Sequence, residues 1–134
     1  MTAFPKPKKG GRRREKARVL RRAVKVVKGV RPQVVERDGH CRLGGGPPIV
    51  ALVTGRCKGA SQWAHFGPHR RSRTVNRPPE ERHTRPGSLM LCDGHHDAYD
   101  DGLLVITALT DRECDGPLEF RRKGGVLAYS EALV

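Results

Sequence analysis

Leu91-Cys92-Asp93-Gly94-His95-His96-Asp97-Ala98-Tyr99-Asp100 is the stretch whose reading decides the fold. It gathers side chains able to ligate a metal, among them Cys92, His95, His96, Asp97 and Asp100. Cys92 and His95 have the x2 spacing of half a zinc site. The pattern predicts a short helix over 95–100, ended before Gly102. On such a helix His96 and Asp100, four apart, project from one face. One imidazole and one carboxylate so placed can hold a divalent cation and leave positions open for a phosphate oxygen and water. Alternatively they make a helix-face contact and nothing more.

Upstream, Cys41 and Cys57 supply the second half of a zinc candidate, Cys41, Cys57, Cys92 and His95. Zinc takes four N or S donors in a tetrahedron, commonly as two pairs brought together from two loops. The sixteen-residue separation of Cys41 and Cys57 requires a hairpin-like excursion to reunite them. The competing reading is four unconnected small buried side chains. Composition favours the metal. Only 36% of the 134 residues are hydrophobic and 4% aromatic, and a core that thin usually needs a staple. A bound zinc adds folding free energy on the order of 10 kcal/mol. The first forty residues are polar and basic, so no secretory leader is expected, and a reducing compartment favours ligation over disulfides. The apolar runs Ile49–Val53 and Leu103–Ile106 are too short to cross a membrane. Cys114, in a predicted turn beside Asp111, Glu113 and Asp115, is expected to be free.

The net charge of +13 is unevenly placed. Residues 1–37 hold 14 Lys/Arg against 2 Asp/Glu, which leaves the remainder nearly neutral. Such an arm, with Arg12, Arg13, Arg14, Arg18, Arg21 and Arg22 at its centre, is an electrostatic footprint for nucleic acid. The alternatives are a solubilising tail or attachment to an acidic membrane surface; no apolar anchor accompanies the charge. A second basic group, Arg70, Arg71, Arg73, Arg77, Arg82 and Arg85, occupies a loop, and bidentate guanidinium suits phosphate. A solvated loop explains any one of these arginines equally well. His65, between Trp63 and Phe66, is a candidate general base, since imidazole can take a proton from water near neutral pH. A histidine that packs or caps is the plainer account.

Residues 1–11 read as disordered, and 12 to about 30 as a helix with Ala17, Leu20, Val24 and Val27 on one face. Gly29 is expected to end it. Pro32 is expected to start a second short helix to Arg37. Asp38-Gly39 reads as a turn, 44–57 as the hairpin-like excursion, Gln62–Phe66 as a strand and 67–86 as a polar loop. Leu103–Thr110 and Pro117–Arg122 read as a hairpin across Asp115-Gly116. The tail from Val126 reads as a short helix or disordered.

In order, the chain presents a basic helix, Arg37-Asp38-Gly39-His40-Cys41, a further cysteine, Ala64-His65-Phe66, a loop of about twenty residues, and the Leu91–Gly102 block. This resembles the HNH endonucleases, especially the small zinc-containing type of phages and prophages, over roughly residues 33–106. The resemblance implies an α+β fold: a small ββα-metal (His-Me finger) core with a zinc knuckle, a basic N-terminal helix and a C-terminal β-hairpin. The corresponding segments are an arm over 1–31, a nuclease core over 32–106 and a hairpin and tail over 107–134. It also implies metal-dependent hydrolysis of DNA, with His65 as the histidine that activates water. His96 would be a ligand of a catalytic Mg²⁺, Mn²⁺ or other divalent ion, and Asp100 falls where a further ligand of that ion often stands. Cys41, Cys57 and Cys92 match zinc cysteines, and His95 stands for the usual fourth. Two positions depart from the family. Ala64 replaces an Asp or His ligand, for which His83 or Asp97 is a possible substitute. The family asparagine falls near Gly87 or Ser88, where Ser88 can still bind backbone and orient the His65 loop. A non-catalytic zinc-stabilised nucleic-acid-binding module is the alternative, and a ribosome-associated basic protein a third. The resemblance further implies a cytoplasmic protein, bacterial or phage-encoded, with DNA as partner, no membrane association, and phage packaging or recombination proteins as possible associates.

Overall fold

The computed structural model describes residues 9–70 and 76–133, with side chains between 13 and 132 in those ranges. Among these residues the fold is α+β, with two small antiparallel sheets. The basic arm forms a single thirty-residue helix, α1 (Lys9–Asp38), that runs through both Gly29 and Pro32. Two helices were expected there, with disorder up to residue 11; residues 9–11 are helical and residues 1–8 lie outside the described set. Tertiary packing accounts for the difference. Val34, two residues beyond the proline, is fully buried. The side chain of Gln33 donates to the carbonyl of Gly29 at 3.0 Å. Helix-breaking signals are local, and an interior proline costs about 3 kcal/mol, a penalty that packing of the last turns offsets.

Past α1 the segment 41–60 loops out and back. The apolar run within the expected hairpin-like excursion is helix α2 (Ile49–Thr54). Two prolines precede it, and the Val50 and Ala51 amides bond the Pro47 and Pro48 carbonyls. Six apolar residues are too few for periodicity to separate helix from strand. The first sheet pairs β1 (Ser61–His65) with β2 (Ser88–Cys92), antiparallel, with His65 opposite Ser88 and Ser61 opposite Cys92. Between them lie a 3₁₀ turn (Gly67–His69) and the short helix α3 (Pro79–Arg82). All five β2 residues are buried, as befits a strand covered on both faces. Helix α4 (Asp93–Asp100) follows β2 without a linker. The unit β1–β2–α4 therefore brings the His65 strand end and the Cys92–Asp100 block into one small body.

The second sheet is a three-stranded meander of β3 (Leu104–Ala108), β4 (Leu118–Arg122) and β5 (Leu127–Ser130). The first two strands form the expected hairpin, whose connection carries a 3₁₀ turn at Glu113–Asp115. The tail expected as helix or disorder contributes β5, followed by a 3₁₀ turn at Glu131–Leu133. Leu104, Ile106, Leu118, Phe120 and Ala128 alternate inward and join Ala64, Leu89, Leu91 and Tyr99 in one core.

Asp38 and Arg42 fasten these parts. Asp38, its side chain 1% exposed, accepts from Arg37 at 2.7 and 2.9 Å, from Arg42 at 3.3 Å and from the Met90 amide at 3.0 Å. Arg37 also reaches the Ser88 and Arg85 carbonyls and Asp115. Arg42 grips Glu131 and the Cys114 and Gly116 carbonyls. Arg37, Asp38 and Arg42 thus form a largely buried network in which each charge has partners, the condition under which buried charge is tolerable. Among the described residues no helix is long and apolar enough to cross a membrane.

Candidate metal centre and histidine cluster

Cys41, Cys57, Cys92 and His95 converge, their donor atoms all within 4.8 Å of one another. His95 Nδ1 lies 3.4 Å from Cys41 Sγ, 3.8 Å from Cys57 Sγ and 3.2 Å from Cys92 Sγ. Zinc–sulfur and zinc–nitrogen bonds of about 2.3 and 2.0 Å, in a tetrahedron, put N and S donors about 3.5 Å apart. The cluster has those dimensions. Its surroundings fit a cation as well. His95 Nε2 sits 3.0 Å from the Gly55 carbonyl, which only accepts, so the proton belongs on Nε2 and the Nδ1 lone pair faces the sulfurs. Cys92 Sγ accepts from the Lys58 and His95 amides. The four residues could therefore hold a metal such as zinc. Burial first, and then Cys41 and Cys92, push the Cys57 thiol up to about 12.

The geometry follows from two turns laid against each other. The Asp93 amide bonds the Ala60 carbonyl, the Gly94 amide bonds that of Lys58, and Asp93 Oδ2 takes the Ala60 amide. Gly59, at φ +82°, is obligatory between them: a Cβ there would stand 2.3 Å from Asp93 Oδ2. Cys114 is buried and lies outside the cluster, and burial pushes its thiol up to about 12.

His96 and Asp100 share a face of α4, with His96 Nε2 at 3.5 Å from Asp100 Oδ2. Gln62 orients the imidazole. Its amide nitrogen donates to Asp93, so its oxygen faces and accepts from His96 Nδ1. That leaves Nε2 as the ring nitrogen turned toward Asp100. Gln62 was missed at the sequence level, where nothing but strand alternation sets it on the α4 side. Ala64, two residues on, is buried and offers no ligand. Asp97 is exposed.

His65 stands on the opposite side of β1 from Gln62 and Ala64, with Trp63 (ring centroids 5.0 Å apart). Its Nε2 lies 2.9 Å from His83 Nδ1. The structure thus gives His83 to His65, and does not bring it together with His96 and Asp100 as a third ligand. Among the described residues the Cys₃His cluster is the one converging group of three or more such donors. Ser88 is fully buried, and its hydroxyl donates to the Thr84 carbonyl at 2.7 Å. It braces the turn that follows His83 and does not bond the imidazole itself.

Of the arm, the side chains of Arg13, Arg14, Arg18 and Arg21 are exposed. Arg18 pairs with Glu15, and Arg22 with Glu80 of α3. The Arg12 backbone lies in α1, its side chain outside the description. Arg70 stacks its guanidinium 4.0 Å above the Tyr99 ring. Arg71 and Arg73 lie outside the described residues. His69 pairs with Glu113 at 2.9 Å.

Burial, with the nearby His83, Arg82, His69 and His96, pushes His65 down to about 4; burial, then Arg82, also lowers His83. Between pH 4 and 6.5 the unfolded chain therefore binds a proton at residue 65 that the folded chain refuses. Acid favours unfolding in that window. The melting temperature of the protein relative to His65→Gln is expected to rise from pH 4 to 6.5 and to level off above it. A difference independent of pH would show that His65 titrates as it does in the unfolded chain.

No family model, no curated protein and no solved structure matches this chain.

Proposed function

We propose that this protein is a metal-dependent endonuclease of the HNH, ββα-metal class that hydrolyses DNA phosphodiester bonds. The reading is supported by the β1–β2–α4 unit, with His65 at the end of its first strand, on the face away from α4 yet near enough to feel the charge of His96, with His96 and Asp100 on its helix and a Cys₃His cluster at the root of that helix. In this reading the cluster binds a structural zinc. His65, neutral at physiological pH, takes a proton from water, and the oxygen attacks phosphorus in line with the leaving 3′ oxygen. A divalent ion such as Mg²⁺ or Mn²⁺ on His96 and Asp100 would polarise the scissile phosphate and stabilise the departing oxygen. Two protein ligands suit such an ion, which keeps water and takes phosphate oxygens. The exposed arginines of α1 follow the DNA backbone by charge.

A second reading, a non-cleaving zinc-stabilised nucleic-acid-binding module of the same fold, is favoured by Ala64, which turns a methyl group toward α4.

Purified protein incubated with supercoiled plasmid separates the two. The nuclease requires nicking that needs added Mg²⁺ or Mn²⁺ and disappears in His96→Ala. Binding that weakens steeply with salt, at every ion tested without cleavage, selects the module. For duplex DNA the logarithmic salt slope falls by about 0.9 for each phosphate neutralised, so removing residues 1–28 is expected to flatten it in either case.

A further inference from the structure

The geometry points to His83 as the positioning residue of His65, holding its imidazole in the tautomer that a general base requires. This rests on the reading of His65 as the base and goes beyond it by assigning the group that orients it. The two rings meet nearly edge to face, with centroids 5.1 Å apart and planes at 62°, and His65 Nε2 is 2.9 Å from His83 Nδ1. At that distance one nitrogen donates and the other accepts.

The choice is decided by what each arrangement leaves over. If His83 Nδ1 donated, neutral His65 would carry its proton on Nδ1 and have no lone pair for water. If His65 Nε2 donates, Nδ1 is free to accept, and the proton of His83 sits on its own Nε2. Only the second arrangement makes a base. In the step, a water O–H bond breaks, its proton bonds to His65 Nδ1, and the oxygen takes the bonding pair to phosphorus as the P–O3′ bond breaks and its pair leaves on the 3′ oxygen. The imidazolium so formed keeps its Nε2–H on His83 Nδ1, where the hydrogen bond strengthens as charge develops. A third group orienting the base in this manner is the logic of catalytic triads.

His83 is itself fixed. Its amide bonds the Pro79 carbonyl. The next residue, Thr84, takes the Gly87 amide on its hydroxyl and the Ser88 hydroxyl on its carbonyl. A Cβ on Gly87 would stand 2.6 Å from both the Thr84 hydroxyl and the His69 ring, so this turn admits little rearrangement. Trp63 lies against both rings, 5.0 Å from His65 and 5.3 Å from His83. It walls the pair on the strand side.

Two measurements on the full zinc-loaded chain test the assignment. Nitrogen-15 NMR of the imidazoles reads the tautomer whether or not the protein cleaves anything. His65 is expected protonated on Nε2 in the wild type and in His83→Asn, whose side-chain oxygen can accept the same bond, and mixed between tautomers in His83→Ala. A wild-type His65 protonated on Nδ1, or one unmoved by His83→Ala, overturns the proposal. Single-turnover plasmid cleavage adds the second readout. His83→Ala is expected to lower the single-turnover rate constant at least tenfold with the half-saturating protein concentration little changed, and His83→Asn to restore most of it. Equal loss in both variants also overturns it. Absence of cleavage in the wild type would instead sink the nuclease reading, and the NMR result would stand apart from it.

Discussion

Replacing Cys92 by alanine, or stripping metal with a strong chelator, is expected to abolish the cooperative fold. The zinc proposed at the Cys₃His cluster is worth about 10–16 kcal/mol at neutral pH by comparison with other structural sites. A domain's net stability is only about 5–15 kcal/mol. The location of the cluster makes the loss global. Its ligands come from the turn after α1, from the segment after α2, from the end of β2 and from α4, so releasing the metal loosens every element around the first sheet. Elemental analysis should find one zinc per chain, and circular dichroism should show the sharp thermal transition vanish in Cys92→Ala. Cys114→Ala should keep both the metal and the transition, at reduced stability, because that sulfur lies in the core and outside the cluster. A metal-free chain with the native melting curve would remove the cluster from any structural role.

His65→Ala is expected to slow single-turnover cleavage by about 10²- to 10⁴-fold, the range in which a general base contributes. DNA affinity should change little, because on the present reading the arginines of α1 dominate binding. This separation of rate from affinity distinguishes a base from a contact residue. His65 is half-buried beside Trp63, so the variant's melting temperature must be followed in parallel. Cleavage at the wild-type rate in a folded His65→Ala protein would end His65's role.

Much of the first sheet was legible because its signals are short-range. Cys92 and His95 at x2 spacing, the helix that follows, and the strand read at Gln62–Phe66, found at Ser61–His65, all stand in the residues themselves. The return of Cys57 to Cys41 was legible only as a requirement of four-coordinate zinc; the chain meets it with helix α2 inside the hairpin-like excursion that was expected. What escaped depends on partners distant in sequence. Val34 and the Asp38 network hold α1 together across Pro32, and no window around the proline contains Met90, Asp115 or Glu131. β5 is four residues long with one buried position, too little alternation to read without the strand it pairs with. His83 was weighed as a metal ligand because the sequence shows it only as a histidine in a basic loop. Its pairing with His65 appears once α3 and the Thr84–Ser88 turn bend the loop back over the end of β1.

Of the four cluster residues, Cys57 alone is exposed; Cys41, Cys92 and His95 are buried. The fold's tightest fastening would therefore have one accessible corner. Competing thiols and electrophiles would meet the cluster first at the Cys57 corner, so ligand exchange there is expected to set the lifetime of the holo protein. Robustness to heat and vulnerability to oxidants would then coexist in the same molecule.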